Sequence, residues 1–237
     1  MTNELLLIIS LAASFGGLLA FFCLFGKTGC SVWIALCTVL ANIEVAVLIK
    51  AFGMEQTLGN TLFASSFLAT DFLSEFYGKK EAGKAVKIGI ATSCVFILFS
   101  ALWPHYVPAS DDRAMAAVKA LFSGTPRILA SSLIAYAVSE LLDVRLYHAL
   151  WDLTKKKSGS GVKYLWLRNN AATLASQAVN IVLFNFGAFF GVYDMKTLAA
   201  ITASCYAIYI VTSIADTPFL YAARKIHAMR TSCGAAR

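Results

Sequence analysis

The chain has 237 residues, of which 59% are hydrophobic and only 14% charged, with a mean hydropathy of +0.70 and a net charge of +7. A soluble domain is roughly half apolar and a quarter charged, so this composition excludes an ordinary water-soluble fold. Apolar stretches of about 20 residues, the length that crosses a hydrocarbon core about 30 Å thick, recur throughout and leave no room for a soluble domain.

The pattern predicts an all-α polytopic membrane protein with seven transmembrane helices. The first span runs from Leu5 to Phe25 and the second from Ser31 to Ile49, with "GKTG" between them. The first is read as retained, because "MTNE" is acidic and no small-x-small cleavage site precedes the second span. "KAFGMEQT" closes the second span, Leu58 to Tyr77 forms the third, and "GKKEAGKAVK" punctuates the chain before the fourth, Val86 to Trp103. After "WPHYVP", the segment Ser110 to Phe122 opens with a capping Ser and two Asp. It then spaces Met115, Val118, Leu121 and Phe122 helically, which predicts a helix along the interface. Thr125 and Pro126 start the fifth span, Arg127 to Leu150. Asn169 to Phe190 and Thr197 to Ala223 complete the set.

Basic residues orient this stack. Lys27, Lys79, Lys80, Lys84, Lys87, Arg145, Lys155, Lys156, Lys157, Lys163, Arg168, Arg224, Lys225, Arg230 and Arg237 all fall on one side, three quarters of the total. Lys50, Arg113, Lys119, Arg127 and Lys196 fall on the other. The positive-inside bias therefore predicts an external N-terminus and a cytoplasmic C-terminus in the inner membrane. The net charge reflects topology, and no basic face with interleaved aromatics points to a nucleic acid.

Enzymatic and cofactor chemistry finds no footing in the sequence. Cys23, Cys30, Cys37, Cys94, Cys205 and Cys233 are scattered without a C-x-x-C, which argues against metal or redox work. His105, His148 and His227 sit in an outer loop, at a span end and in the tail, so they cannot meet in the membrane as a hydrolase would need.

The informative residues are polar ones inside spans, since each costs free energy in lipid and faces a bundle interior or a cavity. The third span carries Asp71 and Glu75, the fifth Tyr136, Glu140 and Asp143, and the seventh Asp216. On the sixth, Asn170, Thr173, Gln177, Asn180 and Phe184 repeat at helical steps as one polar stripe. Placed by topology, Asp71, Glu75, Glu140, Asp143, Asn170, Gln177 and Asp216 lie between mid-membrane and the cytoplasmic boundary, with Phe184 at the outer end of the stripe, which predicts one shared polar cavity. The plainer alternative makes the helix-end acids partners of Lys79 or Arg145, and the amides interhelical bonds worth about 1 kcal/mol each.

Four stretches, "LGNTLFASSFLATDFLSEFYGKKEA", "AYAVSELLDVRLYHAL", "YLWLRNNAATLASQAVN" and "DTPFLY", resemble in order and spacing the vitamin uptake transporter family of queuosine precursor transporters. The likeness runs from about Asn42 to Tyr221. It divides the chain into an extra N-terminal helix (1–30), a six-helix transporter core (31–226) and a cytoplasmic tail (227–237). "NTLFASSFLATD" and "NNAATLASQAVN" also echo one another in opposite directions, as halves of an inverted repeat would.

The resemblance implies import of a 7-deazaguanine base, the 7-cyano or 7-aminomethyl precursor, for tRNA queuosine salvage. It implies no cofactor, and it allows a homo-oligomer without requiring one. A ring N–H beside an exocyclic amino group suits a carboxylate, and the base carbonyl suits an amide. Glu75 or Glu140 is therefore expected on the donor edge, Gln177 and Asn170 on the remaining polar atoms, and Tyr136 or Phe184 on the ring face. Asn180 completes the binding set. Asp71, Asp143, Arg168 and Asp216 are expected to gate or pair. Two departures stand out: the family pattern places Asp at Asn180 and a Lys in the last span, where no Lys lies between Lys196 and Lys225. The alternatives are a substrate-binding subunit of an ATP-driven importer, or a carrier of another purine-like base or vitamin.

Overall fold

The computed structural model describes residues 2–123, 126–158 and 163–234. Thr125 and Arg237, and the side chains of Lys157 and Cys233, lie outside the described residues.

Helix α1, Asn3–Glu44, is two limbs joined at Gly26, whose φ of 59° and ψ of −133° only glycine adopts readily. The second limb doubles back on the first. Trp33 packs edge-on to Phe21 with ring centroids 5.1 Å apart, and Asn3 Nδ2 donates to the Lys50 carbonyl at 2.9 Å. The expected break at "GKTG" is thus a turn made by one residue. A β-carbon at Gly26 would also stand 3.2 Å from the Tyr77 hydroxyl. Gly26→Ala should destabilise the protein by about 1 to 3 kcal/mol, read as a lower melting temperature in detergent. An unchanged melting temperature would show that the turn tolerates a side chain.

A β-hairpin follows that the sequence reading did not foresee. Strands β1, Leu48–Ala51, and β2, Met54–Thr57, pair antiparallel with Leu48 opposite Thr57. Phe52 and Gly53 between them have φ of 52° and 74°, as a two-residue type I′ turn demands. The Phe52 N–H donates to the Glu4 carboxylate at 3.1 Å and ties the hairpin to the start of α1. The second span consequently ends at Glu44, short of Ile49.

Helices α2 (Asn60–Tyr77) and α3 (Lys79–Leu102) come next, and a 3-10 turn, Trp103–His105, extends α3. The short helix α4, Met115–Phe122, begins where the Met115 N–H donates to Asp112 Oδ2 at 2.7 Å, so Asp112 caps it in place of Ser110. Phe122 anchors it against Trp103. Three long helices finish the chain: α5 (Pro126–Ser158), α6 (Leu165–Phe189) and α7 (Met195–Gly234). Asp194 caps α7, and the Thr197 hydroxyl bound to its carboxylate holds it below the usual acidity range. Helix α7 runs on through 227–234, where His227 stacks on Phe76 at 4.9 Å and Arg230 Nη1 donates to the Phe22 carbonyl at 3.1 Å. Of the segment expected as a tail, His227 and Arg230 therefore pack on the body.

Helix α2 is the axis of the bundle. All of it except Phe63, Glu75, Phe76 and Tyr77 is buried, and α1, α3, α5 and α7 pack around it. Helix α5 packs on α3 and α6, while α7 packs on α6 and closes the ring against α1. The usual distribution of polarity is inverted. Val95, Ile134, Val211 and Ile214 are more than half exposed, whereas Asp71, Glu140, Asp143 and Arg168 are 0% exposed. An apolar exterior around a charged interior is stable only when the surrounding solvent is lipid.

Among the described residues, four helices are long and apolar enough to cross a membrane: α1, α3 with its 3-10 extension, α6 and α7. Helix α2 is disqualified by its own polar groups, and α5 by Glu140, Asp143 and Arg145. Being wrapped by its neighbours, α2 needs no apolar exterior.

Candidate functional site

Helices α2 and α6 run antiparallel, and their polar residues meet in register. Asn60 and Asn180 line one pocket, Thr173 reaches Asp71, and Arg168 reaches Glu75. Fifteen residues of α2 separate Asn60 from Glu75, about 22 Å along the axis at 1.5 Å per residue. Three acid stations are stacked along this column, below a pocket at the Asn60 end.

The pocket lies between the β-hairpin and the adjoining ends of α2, α5, α6 and α7. Gln56, Asn60, Asn180 and Asn185 give it amides, and Phe63, Phe184 and Tyr209 give it aromatic faces. Its amides are partly tied. The hydroxyls of Thr57 and Tyr209 donate to Asn60 Oδ1 at 3.2 and 3.3 Å. Asn180 Nδ2 donates to Ser139 Oγ at 2.9 Å, so the neutral residue at this position bonds to α5.

Glu140 is the first acid below the pocket. Ser66 Oγ donates to its Oε1 at 2.7 Å and Thr70 Oγ1 to its Oε2 at 3.0 Å. An ionised carboxylate accepts about four hydrogen bonds, so each oxygen keeps acceptor capacity. Tyr136, one turn away on α5, is 1% exposed, and its ring lies 6.2 Å from that of Phe63 at the pocket wall. Gln177 on α6 is also 1% exposed, and neither its Oε1 nor its Nε2 has a partner among the described residues.

Asp71 and Asp143 form the second station. Thr173 Oγ1 donates to Asp71 Oδ2 at 3.2 Å, and Ser176 Oγ donates to Asp143 Oδ1 at 2.8 Å. One oxygen of each, Asp71 Oδ1 and Asp143 Oδ2, is buried without a partner among the described residues.

The third station is a buried ion pair. Arg168 Nη2 lies 2.9 Å from Glu75 Oε2, with the two side chains 0% and 4% exposed. Tyr147 donates its hydroxyl to the same oxygen at 2.7 Å, and Arg224 approaches Oε1 at 3.7 Å. The guanidinium carbon sits 4.3 Å from the centroid of the Trp151 ring, a cation–π contact that suits a weakly hydrated, planar cation. Four helices thus converge on one carboxylate and close this end of the column.

The sequence expected a single shared cavity at one depth, and the geometry differs. Hydroxyls bond to Glu140, Asp71 and Asp143 and the Arg168 guanidinium pairs with Glu75, and the amide-lined pocket lies beyond them. Asn180 and Phe184 line the pocket, while Glu140, Gln177 and Tyr136 lie deeper. Glu75 is engaged by Arg168. Asn170 joins α6 to α7, its Nδ2 donating to Thr217 Oγ1 at 2.8 Å and its Oδ1 accepting from Ser213 at 3.2 Å. Asp216 belongs to the same joint and accepts from Asn169 Nδ2 at 2.7 Å. Gln56, Phe63 and Asn185 enter the site without having been singled out as ligands, and only their polarity or aromaticity could have flagged them.

A lipid-facing shell around a column of acids, open at one end and locked at the other, defines a polytopic membrane transporter. Residues 57–223 match the family described as "Putative vitamin uptake transporter", and the chain belongs to that family. A Bacillus subtilis (strain 168) protein named "Probable queuosine precursor transporter" is 37% identical over 204 residues, covering 85% of this chain and 86% of that protein. No solved structure matches the chain.

Proposed function

We propose that the chain imports queuosine precursors, 7-cyano- or 7-aminomethyl-7-deazaguanine, across the cytoplasmic membrane. The similar B. subtilis protein supports the substrate class. The observation that carries the site is Gln177, a buried amide with neither donor nor acceptor satisfied among the described residues, placed one helical turn below Asn180 in the pocket wall. Each such group costs about 1 to 3 kcal/mol until something bonds to it. A purine-like base supplies what Gln177 and Glu140 lack: a carbonyl to accept from the amide nitrogen and a ring N–H to donate to the amide oxygen, and paired N–H donors for the carboxylate. Phe63, Tyr136 or Phe184 offers a face for the flat ring, a contact worth about 1 to 3 kcal/mol.

In this reading both limbs of α1 cross the membrane, as do α2, α3, α5, α6 and α7, giving seven crossings. The amide pocket opens outward and the Arg168–Glu75 pair closes the cytoplasmic side. A cysteine introduced at Asp194 should then react with a membrane-impermeant reagent from outside, and one at Lys156 only after permeabilisation. The reverse pattern would overturn the orientation.

The function itself is tested in cells that lack both synthesis and uptake of the precursors. Expression of this chain should restore tRNA queuosine from submicromolar external 7-cyano-7-deazaguanine. Failure of a correctly inserted protein to restore it would reject the reading.

A further inference from the structure

We propose that Asp71 and Asp143 form a proton-binding site that couples import to an inward proton gradient, distinct from the groups that read the base. The inference rests on the reading of the chain as a deazaguanine importer.

Asp71 on α2 and Asp143 on α5 are both fully buried, and the α6 hydroxyls bonded to them, Thr173 and Ser176, stand one helical turn apart. A fully buried carboxylate without a cation beside it is costly as an ion, so two such acids together favour a proton on one of them. Thr173 and Ser176 on α6 donate one bond each to Asp71 Oδ2 and Asp143 Oδ1, and Asp71 Oδ1 and Asp143 Oδ2 have no partner among the described residues. The charged groups that act on Asp71 besides Asp143 are Glu140 on α5 and Asp216 on α7, both acidic, and Tyr147 on α5 faces it as a neutral phenol. Arg168, the cation on the facing helix, is committed to Glu75.

The position links this proton to both ends of the column. Asp71 follows Thr70, which holds Glu140, and lies one turn before Glu75 of the ion pair. Asp143 lies one turn after Glu140. With the proton in place, one carboxyl is neutral and the two acids can stay side by side on α2 and α5. When the proton leaves toward the cytoplasm, two like charges face each other in a dry site, and the helices must separate or recapture a proton. The proton is taken from one side and released on the other, and no bond of the substrate changes.

The test uses the full chain in proteoliposomes, with zero membrane potential, no sodium and labelled 7-cyano-7-deazaguanine, which is uncharged. An inside-alkaline difference of about one pH unit should drive about tenfold accumulation if one proton moves with each base. Asp71→Asn should abolish the accumulation yet still exchange internal for external base, because an amide preserves a neutral contact but carries no proton across. Asp143→Asn poses the same question should Asp71→Asn fail to insert. Undiminished gradient-driven accumulation in either variant overturns the proposal. So does accumulation in the parent driven by sodium, or by no ion gradient at all. Absence of base exchange by the folded parent would instead overturn the assignment of substrate, so the two failures are separable.

Discussion

Arg168→Met is expected to destabilise the protein by about 3 kcal/mol, the low end for breaking a buried ion pair, since it strands Glu75 with its side chain 4% exposed. Arg224, 3.7 Å from the other carboxylate oxygen, tempers the loss. Arg168→Lys should not rescue it, because an ammonium cannot both meet Glu75 and lie flat on Trp151. The double variant Arg168→Met/Glu75→Leu separates two roles for the pair. Replacing both partners by apolar groups should return most of the stability. Uptake should stay lost if the pair must open and re-form in each transport cycle. Melting temperature in detergent and precursor uptake, measured on the three variants, decide this. Recovery of uptake together with stability would reduce the pair to a structural tie.

Arg168 illustrates what the sequence could and could not convey. Charge in an apolar context stands out in any linear reading, so the spans, the acids and Arg168 as a partner for one of them were legible. Which acid it meets was not, because that depends on α2 and α6 running antiparallel with Arg168 opposite Glu75. The cation–π contact with Trp151 was hidden for the same reason. The hairpin of β1 and β2 was illegible because its turn places Phe52, a residue with no special turn signal, at positive φ. Asn60, Gln56 and Asn185 went unweighted as ligands because amides at helix ends are common. Only the convergence of four helices and the hairpin turns them into a pocket. The central position of α2 was equally invisible, since wrapping by other helices leaves no periodic stripe.

The antiparallel register also bears on how the column could work. In an inverted repeat, two segments cross the membrane in opposite directions with their active groups at matching depths. Helices α2 and α6 run antiparallel over "NTLFASSFLATD" and "NNAATLASQAVN", with Thr173 bonded to Asp71 between them. Movement of one against the other would break bonds at the pocket end and at the Arg168 end in alternation. The pocket residues and the ion pair are therefore expected to respond oppositely to substrate, which the variants at each end can report.

Glu140→Gln is expected to cost about 3 kcal/mol in base binding, more than a hundredfold in affinity, with little change in stability. The fold should tolerate it because Ser66 and Thr70 are hydroxyls, able to donate to the amide oxygen or accept from its nitrogen, so both contacts to α2 survive. Binding should not tolerate it. A carboxylate can accept from the ring N–H and the exocyclic amino group together, whereas the amide presents one acceptor and opposes the second donor with a donor of its own. This predicts a specificity signature that a general defect would lack. An analogue without the exocyclic amino group should compete poorly for uptake by the parent, because it leaves one carboxylate oxygen unpaired in a dry site. In Glu140→Gln the penalty for that analogue should shrink, since the lost donor no longer had a matched acceptor. Competition uptake with the base and the analogue, on parent and variant, provides the comparison. Equal uptake by Glu140→Gln and the parent, or an unchanged preference for the amino group, would remove Glu140 from the substrate site and leave it as a buried partner of Ser66 and Thr70.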